Sequence, residues 1–150
     1  MSNKSVQPTI GGFWVHQYRL QALTEKLLET TERQRLDRAV KFFDQACSDH
    51  RWAFAQKASL EFAARIRQWD QTLHELLEDE PRSMVYYQSD VEVRAIIEVL
   101  IRQLASMPTE AQESSLAEIN KLDRQLEKKW VAGAFIWPAG WEAAYPRKRY

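Results

Sequence analysis

The chain's 4 glycines and 5 prolines leave its interior almost untouched. Pro8, Gly11 and Gly12 lie near the start, and Gly133, Pro138, Gly140 and Pro146 near the end. Only Pro81 and Pro108 fall between. Sheet architectures need turn residues every several positions, whereas helix interiors exclude both glycine and proline. The chain is therefore expected to be all-α. Its 150 residues suit one domain with a core of its own. The pattern predicts an antiparallel bundle of about four helices over residues 13–132, a flexible leader over 1–12, and an irregular, aromatic-rich tail over 133–150.

Apolar spacing supplies the helices. Tyr18, Ala22, Leu23 and Leu27 recur every three to four positions, and the rhythm resumes through Leu36, Ala39, Val40, Phe43 and Cys47. Thr30-Thr31 with Gln34 resembles a capping box, which leaves two helices or one; with no glycine or proline between them, one long helix, kinked or straight, is the favoured expectation. Ser48-Asp49 reads as the next cap. Beyond it Trp52, Ala55, Ser59, Phe62, Ile66, Trp69, Leu73 and Leu76 make a stripe that Pro81 should end. Residues 81–88 read as a connection and Ser89-Asp90 as the cap of a third helix. Val93, Ile96, Ile97, Leu100, Ile101 and Leu104 make that helix the most apolar, hence the central one. Pro108 separates it from a last helix carrying Leu116, Ile119, Leu122 and Leu126.

Residues 130–150 are of another kind. They hold three of the six tryptophans, Trp130, Trp137 and Trp141, together with Tyr145 and the basic end Arg147-Lys148-Arg149. Residues before a proline avoid the helical region, so Trp137-Pro138 and Tyr145-Pro146 read as extended. Such a tail either folds back to plug one end of its own bundle or docks on another protein, since aromatic anchors beside arginine have the composition of protein-interface hot spots. They also resemble the stacking platforms with cations that grip single strands.

Two charged clusters complete the candidates. Glu75, Glu78, Asp79 and Glu80 crowd what reads as one helix C-terminus, where the macrodipole disfavours acids, so an acidic knob facing a basic partner is one reading. Arg33, Arg35, Arg38 and Lys41 form a basic face, diluted by Glu32, Asp37 and Asp44. Twenty-one basic residues balance 21 acidic ones, which argues against gripping nucleic acid as the main task, since phosphate contacts dominate such binding.

Catalytic and metal signatures are weak. His16, His50, His74 and Cys47 are the available soft ligands; structural zinc needs four close donors, and a di-iron bundle needs paired Glu-x-x-His motifs that the chain lacks. No nucleophile elbow or phosphate loop occurs. No cofactor, metal or catalytic residue is assigned, and no membrane anchor. One cysteine and no signal-like start fit the cytoplasm. The expected function is non-catalytic: an adaptor, regulator or accessory subunit docking on another protein through Trp137, Trp141, Tyr145, Arg147, Lys148 and Arg149, oriented by Glu78, Asp79 and Glu80. The alternative is a nucleic-acid-binding accessory protein using the basic terminus and helix face. A second copy of the chain is a further candidate partner, reached by exchange of the first helix.

Overall fold

The computed structural model describes residues 9–78, 80–105 and 110–128, with side chains except those of 23–26, 80–90 and 110–112. Within them every element is helical: α1 Ile10–Leu27, α2 Thr30–Asp49, α3 Arg51–Glu78, α4 Glu80–Leu104 and α5 Glu110–Glu127. The all-α expectation holds, with five helices where about four were expected.

The first helix starts earlier than its glycines suggest. Thr9 is its N-cap, its hydroxyl accepting the Gly12 N–H at 3.2 Å. The Gly11 N–H donates to Glu61 Oε2 of α3 at 2.8 Å, and Arg65 Nη2 of α3 donates to Thr9 Oγ1 at 3.3 Å. Orphan amides of a helix N-terminus attract a carboxylate. Here the carboxylate comes from another helix, so the cap also docks α1. Gly11 and Gly12 thus lie inside α1 rather than ahead of it. A Cβ at Gly11 would come 2.6 Å from Ile96 Cγ2 of α4, so glycine sets how closely α1 approaches the core.

The expected long helix is two. Leu28 and Glu29 are extended, at φ/ψ −98/132 and −64/158. The Glu29 N–H donates to Glu32 Oε2 at 3.2 Å, so the capping residue precedes Thr30-Thr31. The bend into α3 is sharper. His50 sits at φ −117, ψ 34 between helices that otherwise continue the helical hydrogen bonds, His50 N–H to Ala46 and Phe54 N–H to His50. Eleven residues of straight helix would part Phe43 and Phe54 by about 16 Å; their ring centroids are 5.8 Å apart. The chain therefore folds back at His50.

In α3 the stripe Ala58, Phe62, Ile66, Trp69, Leu73 and Leu76 is buried. The expected start of that stripe, Trp52, is exposed. Residues 81–88, expected as a connection, belong to α4, and Pro81 lies in its first turn, where a missing N–H costs no helical bond. From Val91 to Leu100 every residue of α4 except Glu92 and Glu98 is buried, as a central helix requires. It packs against α3 along its length and against α1, while Ile119 and Leu122 bury α5.

One charge lies deep in this core. Arg94 of α4 donates from Nε to Asp123 Oδ1 and from Nη2 to Asp123 Oδ2 of α5, both at 2.9 Å, and from Nη1 to Glu98 Oε2 at 3.2 Å. Both Arg94 and Asp123 are buried. A buried guanidinium is tolerable only when paired and hydrogen-bonded, and this one has a fork-to-fork partner.

Candidate interaction surface

The expected docking residues Trp137, Trp141, Tyr145, Arg147, Lys148 and Arg149 lie outside the described residues, as does Asp79. Glu78, the last residue of α3, is exposed and lies 3.6 Å from His74 Nε2. Glu80 is the first residue of α4. The acidic run is therefore not one helix terminus: α3 ends at Glu78 and α4 begins at Glu80.

The structure adds residues that the tail-centred reading did not assign to a surface. α2 has 20 residues and buries none of them. Its inner side leans on the rest through Phe43, whose ring meets Phe13 at 4.2 Å, Trp14 at 6.3 Å and Phe54 at 5.8 Å. Phe42, its neighbour, faces outward and is 79% exposed; Trp52 at the start of α3 is 88% exposed, Leu60 69% and Leu27 71%. Phe42 and Leu60 stand off the apolar stripes of the sequence, which was the available signal. Trp52 falls on the extrapolated stripe of α3, but that stripe is buried only from Ala58 onward.

Arg33, Arg35, Arg38 and Lys41 are exposed along α2, and so are Glu32, Asp37 and Asp44. Arg38 Nε donates to the Gln34 carbonyl one turn back at 3.2 Å. Alternating signs along one helix give a mixed field rather than a basic stripe.

For chemistry, Cys47 is half-buried, and burial pushes its thiol pKa up, with the Asp44 carboxylate adding in the same direction. A thiol held protonated is a poor nucleophile and metal ligand. His16, His50 and His74 are all exposed. Among the described residues no three His, Cys, Asp or Glu side chains group so as to hold a metal ion, and no helix is long and apolar enough to cross a membrane. Compared with known protein families, curated proteins and solved structures, the chain matches none.

Proposed function

We propose that this chain is a non-catalytic interaction module that docks on another protein through aromatic side chains. Trp137, Trp141 and Tyr145 of the tail are the principal anchors, with Phe42 of α2 and Trp52 of α3 as further exposed aromatics. The observation that carries the reading is Trp52, 88% exposed on a helix whose later turns are firmly buried. Tryptophan is a leading hot-spot residue, and large aromatic side chains left in water, Phe42 and Trp52, are better accounted for by a partner than by the core. A photo-cross-linker at Tyr145 of the full-length chain in cells tests it. A discrete protein adduct is expected, lost in a Trp137→Ala/Trp141→Ala variant that keeps its helical circular dichroism. Absence of an adduct, or loss of helicity in the variant, removes the reading.

A second reading, binding to nucleic acid, draws on the exposure of Arg33, Arg35, Arg38 and Lys41. Its signature is affinity that falls steeply with salt. A contact anchored by aromatic burial responds far less.

A further inference from the structure

α1 is fastened almost wholly to elements distant in sequence. Its N-terminus is held by Glu61 and Arg65 of α3. Arg19 pairs with Glu92 of α4, and Tyr18 Oη accepts from Gln103 Nε2 of α4 at 3.1 Å. Trp14 and Val15 are buried in the common core. Toward α2, its neighbour in the chain, α1 offers ring contacts to Phe43. What holds α1 is thus a cleft between α3 and α4, and every copy of the chain presents the same cleft.

The link from α1 to α2 is poised to open. It is two residues, neither glycine nor proline, and both leucine and glutamate are good helix formers. At Leu28 and Glu29 φ is −98 and −64, close to the helical range; only ψ, at 132 and 158, departs from it. Rotating two ψ angles makes residues 10–49 one helix, at the cost of an exposed Glu29–Glu32 hydrogen bond. Leu27 is 71% exposed beside the link and has no core packing to lose, while α2, which meets the core through Phe43 and Cys47, keeps its place on α3. A straight helix of that length spans about 60 Å. It would carry α1 beyond reach of its own cleft, and the one other site that fits α1 is the cleft of a second copy.

We infer that this chain forms a dimer by exchanging α1: residues 10–49 straighten, and the α1 of each copy fills the α3–α4 cleft of the other. Exchange keeps every fastening of α1 and gives up only the link, which is why such dimers cost little. The closed chain is favoured at low concentration because its own α1 is present at an effective concentration on the order of millimolar.

The test uses the full-length chain, unfolded and refolded at several hundred micromolar, then diluted and weighed by native mass spectrometry. A dimer that persists on dilution is expected. Glu29→Pro holds Leu28 in its extended conformation, suits the native φ, and touches no buried group; it should leave only monomer. Leu28→Ala/Glu29→Ala should raise the dimer fraction several-fold. The decisive arm mixes two charge-reversed chains, Arg19→Glu and Glu92→Arg, unfolded together. Each alone sets like charges against each other in its cleft. Exchange between them brings the two reversed side chains together in one cleft and the native Arg19–Glu92 pair together in the other, so a one-to-one heterodimer should dominate. A mixture that yields no heterodimer overturns the inference. So does a dimer that survives Glu29→Pro, or a Leu28→Ala/Glu29→Ala chain that stays monomeric throughout.

Discussion

Arg94 and Asp123 meet fork to fork, two parallel N–H···O bonds of 2.9 Å joining α4 to α5 in the interior. Removing Asp123 takes two hydrogen bonds from a buried guanidinium and leaves Glu98 beside it. Asp123→Ala should therefore lower stability by about 3–5 kcal/mol, read as a reduced midpoint in urea. Replacing both, as Arg94→Met with Asp123→Leu, should restore most of that loss. If the single and double variants are equally destabilised, the pair is not what holds α5.

Adjacent glycines should respond in opposite ways. At Gly11 a methyl group meets Ile96 Cγ2 at 2.6 Å and Leu100 Cδ1 at 3.2 Å, so Gly11→Ala should destabilise by about 1–3 kcal/mol through overpacking. At Gly12 it meets only Thr9 Oγ1 at 3.1 Å. There the gain in helix propensity, about 0.5–1 kcal/mol, opposes a small shift of the cap. Thermal melts of the two variants should separate by several degrees.

Two tryptophans one stripe apart should differ as strongly. Trp69 is fully buried and Trp52 is 88% exposed. Trp69→Ala should cost about 3–5 kcal/mol, while Trp52→Ala should change stability by less than about 0.5 kcal/mol. A large loss at Trp52 would mean that the side chain serves the fold, which would undercut its role in docking.

Cys47 should alkylate slowly. Its pKa is raised above the usual thiol value by burial and by Asp44, so iodoacetamide at pH 8 should react more slowly than with a free thiol, and Asp44→Asn should speed it. The native state favours the protonated form, so this contribution to stability is complete below the unfolded-chain pKa and is lost as pH rises through the raised native one. Labelling as fast as that of a free thiol would contradict the burial.

Periodicity made much of this fold legible. The stripe from Phe62 to Leu76 and the central place of α4 follow from apolar spacing that only a helix satisfies. What escaped was set by contacts distant in sequence. The break at Leu28-Glu29 carries no glycine or proline; the cap-like Thr30-Thr31 lies one residue past the true cap, Glu29, and is outweighed by the unbroken apolar rhythm. Thr9 reads as leader until Glu61 and Arg65 are seen around it. Arg94, one of the charges interleaved with the apolar residues of α4, carries no sign of burial in its own helix, since its partner lies in another. Of the candidate site, Phe42 and Leu60 stand off the apolar stripes, a spacing that fits a second buried face as well as the exposed one observed, while the exposure of Trp52 depends on how far the neighbouring helices extend.

The unburied α2 also decides where this chain is cut. Arg33, Arg35 and Arg38 lie exposed in a helix that buries no residue and touches the core through Phe43 and Cys47 in its second half, so trypsin should reach them before any arginine of α3 or α4. The product would be nicked but whole: the α1 fragment stays seated through Glu61, Glu92 and Gln103. It should migrate as one species until denaturant parts the two pieces.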